Sequence, residues 1–86
     1  MIKNLYSIRD RLTGFGPLFD AYSNDVAIRQ FVMSFKGQQL TVPLEDLDLY
    51  LIGTYDTELG TLDSAASPVF VARGASLMED DKDDAV

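Results

Sequence analysis

Neighbouring carboxylates can work as a general acid and base, and Glu45 with Asp46, or Asp56 with Glu58, come nearest to such a pair in this chain. A carboxyl that donates protons at neutral pH needs a buried site that raises its pKa. Glu45 and Asp46 follow Pro43 at what reads as a helix start, where acids complement the backbone dipole from solvent. Asp56 and Glu58 stand in a turn, where such residues build the turn itself. The chain has no histidine and no cysteine, which removes imidazole bases, thiolate nucleophiles, disulfides and ordinary zinc sites. The remaining acids lack calcium-loop spacing, and there is no glycine-rich phosphate cradle with its lysine. These residues predict a protein that is not an enzyme and that takes no metal or cofactor.

A second kind of chemistry needs only charge and flat rings. Lys3, Arg9, Arg11, Arg29 and Lys36 can neutralise phosphates, and Tyr6, with Phe15 and Tyr22 nearby in sequence, can stack bases. Backbone cations beside aromatic platforms are what sequence-tolerant binding of single strands requires. Set against this, five cations in 42 residues is ordinary surface, aromatics are ordinary core, and nucleic-acid binders are usually basic overall. The net charge here is −7.

That charge is unevenly spread. Residues 1–42 carry five cations against three acids, whereas residues 43–86 carry two against eleven. The run Glu79-Asp80-Asp81-Lys82-Asp83-Asp84 accounts for much of the excess. Such a block reads as a solvated, disordered tail that keeps a small protein soluble. A sharper reading makes it a polyanion that competes with nucleic acid for the basic half, or a docking tail for another protein.

The elements that must position these groups can be read from periodicity. Residues 2–9, centred on Leu5-Tyr6-Ser7-Ile8, read as a strand. Thr13-Gly14-Phe15-Gly16-Pro17 reads as a turn, and Phe15 to Tyr22 as a second strand in a hairpin with the first. Ser23 or Asn24 can cap a helix over about 24–36, with Asp25 at the positive end of its dipole. Ile28, Phe31, Val32 and Phe35 make its apolar stripe, and Gly37 is a natural stop. Pro43-Leu44-Glu45-Asp46 favours one helical turn. Leu47, Leu49 and Leu51 then alternate with Asp48, Tyr50 and Ile52, the period of a strand whose leucine side faces the helix. Asp56 to Gly60 forms a hairpin turn with Gly60 at positive φ. Thr61-Leu62-Asp63 begins the return strand, Ser64 to Ser67 is a loop, and Pro68 to Arg73 is a last short strand.

The expected fold is α+β: a two-layer antiparallel sheet of four to five strands with one helix on one face. Residues 1–77 form the single domain, and 78–86 the tail. The other sheet face is left partly bare, and Tyr50 with Ile52 should form an apolar patch there that marks a partner interface. A chain of this size buries only roughly 60–65% of its unfolded surface, so a homodimer is the expected source of further stability. No apolar run approaches a membrane span, and Met1 to Tyr6 reads as a first strand rather than a signal peptide.

The ordered set Asp10, Phe19-Asp20-Ala21, Asn24-Asp25, Ala27-Ile28-Arg29-Gln30-Phe31, Pro43-Leu44-Glu45-Asp46, Leu49-Tyr50-Leu51-Ile52-Gly53, Tyr55-Asp56 and Gly60 resembles the small nonstructural protein of gokushoviruses, single-stranded-DNA phages of the Microviridae. The likeness spans about residues 5–62. Where that family often has His-Pro-Glu-Asp, this chain has Val42-Pro43-Leu44-Glu45-Asp46, so no role is carried onto that loop. The resemblance implies a DNA-binding-type protein of genome replication, assisting the change to single-stranded progeny synthesis in the host bacterial cytoplasm. Its partners would be single-stranded DNA or phage and host replication proteins. The competing expectation is an adaptor without DNA affinity, which recruits a replication protein through the acidic tail or the Tyr50/Ile52 face.

Overall fold

The computed structural model describes residues 1–35 and 43–77. The expectations placed on Lys36 and on the 78–86 tail fall outside those residues. In chain order the elements are β1 (Ile2–Asp10), β2 (Gly14–Ala21), α1 (Asn24–Phe35), a 3₁₀ turn (Leu44–Asp46), β3 (Leu47–Asp56) and β4 (Thr61–Arg73). One further helical turn, unforeseen in the sequence, covers 74–77. The strands form a single antiparallel sheet in the order β2-β1-β3-β4, with α1 laid across one face. The two-layer α+β expectation holds.

Local chemistry explains each boundary. The β1–β2 hairpin turns where Asp10 Oδ1 accepts the Leu12 amide at 2.9 Å and Gly14 takes φ 100°. Ser23 is the cap of α1: its Oγ accepts the Val26 amide at 3.3 Å, while its carbonyl accepts the first helical bond from Ala27. Asn24 has a different task, because its Oδ1 accepts the Tyr6 hydroxyl at 2.7 Å. At the far hairpin Asp56 Oδ1 accepts the Glu58 and Leu59 amides, and Gly60 sits at φ 72°. These bonds favour the ionised carboxyl and hold the Asp56 pKa below the ordinary aspartate range.

The core lies between α1 and the two central strands. Tyr6, Ala21, Ala27, Phe31, Leu47 and Leu49 are buried, with Ile8, Phe19, Val26, Ile28, Phe35, Leu51 and Val71 packed around them. Burying Phe31 and Leu49 contributes roughly 1.5–3 kcal/mol each. The Tyr6 ring stacks on Phe19 at 5.8 Å, and Phe31 meets Phe35 edge-on at 5.1 Å. The leucine side of β3 faces the helix, as its alternation indicates. Ala27 is the buried position that a search for large apolar residues passes over.

β4 is one strand, although the sequence suggests two pieces and a loop. The pairs Gly53↔Ser64 and Leu51↔Val69 are both kept, so Ala65 to Pro68 bulge out against Ile52 alone. Ile52 is also skipped in the pairing with β1, where Leu5↔Gly53 is followed by Tyr6↔Leu51. The expected loop residues are thus a bulge within a continuous strand.

Gly53 is where this irregularity closes most tightly. A Cβ there would overlap the Asp63 carbonyl oxygen and approach Ser64 Cα to 2.9 Å. Gly53→Ala should therefore lower the unfolding free energy by about 1–3 kcal/mol, as overpacking does. Gly60→Ala, with open space around the new methyl, should cost about 1–2 kcal/mol, the penalty of the left-handed backbone. Urea denaturation of the two variants checks both values.

Candidate functional site: the open face of the sheet

With α1 on one face, the opposite face of the sheet has no covering layer among the described residues. Strand register arranges it in rows, three across all four strands and a fourth across β1, β3 and β4. One row is Phe15, Arg9, Asp48 and Arg73, and the next is Leu18, Ser7, Tyr50 and Phe70. Then come Asp20, Leu5, Gly53 and Ser64, and last Lys3, Tyr55 and Leu62.

The first two rows bring aromatic rings together. Phe15 meets Tyr50 at 5.4 Å and Tyr50 meets Phe70 at 5.8 Å, both edge-to-face. Ser7 lies in register beside Tyr50 and is small enough for the rings to meet over it. Its hydroxyl donates to the Gly16 carbonyl at 2.8 Å, so the buried polar group is satisfied. Phe15 is 47% exposed and Phe70 50%. Such edge-to-face rings leave faces and edges open to a flat ligand.

Arginine borders this aromatic row. The Arg9 guanidinium sits 5.9 Å from the Phe15 centroid, within cation–π range. Arg9 and Arg73 flank Asp48 in register, one on each neighbouring strand. Arg11 contacts the same carboxylate, Nε to Oδ2 at 3.8 Å, and its amide bonds to the Asp46 carbonyl. Asp48 is buried, and its Oδ1 has no hydrogen-bond partner among the described residues. A buried carboxylate is costly unless it is closely paired, and Arg11 is the one cation within 4 Å of this group among the described residues. Among the described residues neither Arg9 nor Arg73 has an ion-pair partner within 4 Å.

The opposite end of the face differs. Lys3 Nζ bonds to Asp20 Oδ2 at 3.1 Å and stands 4.9 Å from the centre of the Tyr22 ring. The hydrogen bond from Lys3, and then its charge, hold the Asp20 pKa below the ordinary aspartate value. The same bond and charge raise that of Lys3. Beside this pair Leu5, Leu18, Phe19, Asp20, Tyr55 and Leu62 line a hollow of about 310 Å³.

Several sequence-derived assignments change. Tyr6 is fully buried, with its ring on Phe19 and its hydroxyl on Asn24; it has no surface from which to stack a base. Lys3, Arg9, Arg11 and Arg29 do not form one patch. Lys3 lies at one end of the open face and Arg9 and Arg11 at the other, while Arg29 is exposed on α1 in the other layer. Tyr50 does lie on the open face, but its neighbours there are Phe15 and Phe70 rather than Ile52, which falls in the bulge. Arg73, Asp48 and Phe70 were missed. Their signal is the alternation of β3 read together with its pairing to β4, which a single strand cannot supply.

No group of three or more metal-ligating side chains occurs among the described residues, and no helix there is long and apolar enough to cross a membrane. A protein-family model described as "Phage ORF5 protein" matches residues 3–77. Searches of curated proteins and of solved structures return no match.

The Lys3–Asp20 pair sets a pH dependence with a definite sign. Because the Asp20 pKa is depressed on folding, its contribution is present above the unfolded aspartate pKa and lost as pH falls through the folded value. Lys3, raised on folding, contributes below the ordinary lysine pKa and loses that contribution as pH rises through its folded value. In Lys3→Met the Asp20 carboxyl should titrate at higher pH, back toward an ordinary aspartate. NMR titration of the carboxyl carbon in the two chains measures that shift.

Proposed function

The chain belongs to the Phage ORF5 protein family, and from that membership and the open face we propose that it is a nonstructural phage protein that binds single-stranded DNA during genome replication. The observation that carries this reading is the continuous row Arg9–Phe15–Tyr50–Phe70, with Arg73 at its border. Bases stack on the rings in a sequence-tolerant way, and the arginines take the phosphates alongside. The protein does no chemistry on the strand. It holds single-stranded product in the host bacterial cytoplasm and so assists the switch to progeny strand synthesis, as in the gokushovirus proteins it resembles.

A second reading is favoured by one observation. The described residues hold five cations against nine acids, so the long-range field repels nucleic acid and only the local arginines attract it. On that reading the exposed rings bind protein: a second copy in a homodimer, or a replication protein recruited by an adaptor without DNA affinity.

Fluorescence anisotropy with a labelled oligo-dT strand, titrated at several salt concentrations, separates the two. Under the first reading binding saturates, weakens with salt, and exceeds that of a duplex. Phe70→Leu, which keeps an apolar side chain but removes the ring, should weaken binding about fivefold or more, the value of one stacked base. Arg9→Gln should reduce the salt slope by about 0.7, the share of one phosphate contact. Absence of binding at low salt would reject the first reading and leave the protein-binding face.

A further inference from the structure

We propose that the arginine border of the open face is the docking surface for this chain's own acidic terminus, residues 79–84, which thereby competes with single-stranded DNA for the same cations. The competition rests on the DNA reading above; the docking does not. Three observations converge on it. Arg9 and Arg11, at the end of β1, and Arg73, at the end of β4, lie at one end of the sheet, where Arg11 contacts the buried carboxylate of Asp48 and Arg9 and Arg73 are its register neighbours. That group satisfies at most one of the three charges, and Arg9 and Arg73 have no ion-pair partner among the described residues.

The second observation is where the described chain ends. Arg73 closes β4, the turn 74–77 follows, and Leu77 packs against the core. Gly74 fixes this exit, since a Cβ there would overlap the Leu44 carbonyl and lie 2.7 Å from that of Leu47. The terminus therefore leaves at the arginine end of the sheet and not at the far hairpin, from the helix side, and rounds that end to reach the open face. Nine residues follow Leu77, with a reach of about 30 Å when extended. A four-stranded sheet is only about 15 Å across between its outer strands.

The third is charge. Glu79, Asp80, Asp81, Asp83 and Asp84 present five carboxylates against one lysine. On so short a tether their effective concentration at the arginines is in the millimolar range. Even a weak ionic contact is then occupied much of the time, and salt dissolves it. Anionic DNA must displace the tail, so only a ligand that offers stacking as well as charge gains the face. The device would favour strands with accessible bases over duplex, whose charge density is higher but whose bases are shut away.

The test uses the chain of residues 1–86. Because the sequence is free of cysteine, Ala85→Cys accepts one nitroxide label, and NMR then reads which amides it broadens. Broadening at Arg9, Arg11 and Phe15 that disappears at high salt, and in the labelled chain carrying Asp80→Asn and Asp81→Asn, is the expected result. Broadening that is indifferent to salt and to those substitutions overturns the docking. For the competition, oligo-dT affinity is compared between Asp80→Asn/Asp81→Asn and Glu58→Gln/Asp63→Asn, two pairs with equal change in net charge. The tail pair should raise affinity about three- to tenfold at low salt, and clearly more than the control pair; equal effects overturn the competition. If no variant binds oligo-dT while salt-sensitive broadening persists, the DNA reading falls and the docked tail stands.

Discussion

The Tyr6 side chain ties the two layers together. It stands on the central strand β1, stacks on Phe19 of the edge strand β2, and donates its hydroxyl to Asn24 at the first position of α1. The Asn4 amide donates to the same oxygen, so a phenol at zero exposure is satisfied both as donor and as acceptor. A buried hydroxyl left without partners costs roughly 1–3 kcal/mol. The helix therefore cannot slide along the sheet without stranding that group. Its start is pinned over β1, and Ala27 and Phe31 follow at successive turns of the same face. The crossing from β2 to β3, which places β1 between them, is built on this one attachment.

Once the helix is committed to one face, the other has to be managed by the strands themselves. Small Ser7 on β1 and large Phe15 and Tyr50 on its neighbours let the rings cover the middle of the sheet. Asp48, on the same face, is covered well enough to be buried yet keeps one oxygen unpaired. This is a poor arrangement for stability alone, because an apolar residue at that position would avoid the desolvation. It makes sense as a way to gather arginines beside aromatic rings. The candidate site is thus a product of the fold's one-sidedness rather than an addition to it.

Much of this was legible in the residues. The helix with its cap at Ser23 or Asn24, the leucine face of β3 and the Gly60 turn follow from period and turn chemistry, because each depends on residues close in sequence; the first turn falls at residues 11–13, and Gly14 to Pro17, expected within it, lie in β2. What was not legible depends on register between strands. Tyr6 looked like a surface ring because an aromatic in an alternating strand gives no sign of which face it takes. The basic residues looked like one patch because sequence proximity hides that Arg29 sits in the other layer. Arg73 went unnoticed at 25 residues from Asp48, yet strand pairing makes them neighbours. The bulge of β4 read as a loop, since Ser64 to Ser67 carry small residues with no strand preference.

That bulge bears on how the molecules behave in a crowded cell. An edge strand of 13 residues would ordinarily offer a long row of unpaired amides and carbonyls to any similar strand. Here Ala65 to Pro68 break the row near its middle, and Pro68 has no amide to offer. Neither remaining segment is long enough to seed an extended cross-chain sheet. Copies of the chain can therefore accumulate without zipping edge to edge into fibres, and the meetings that remain open to them are those of one face upon another.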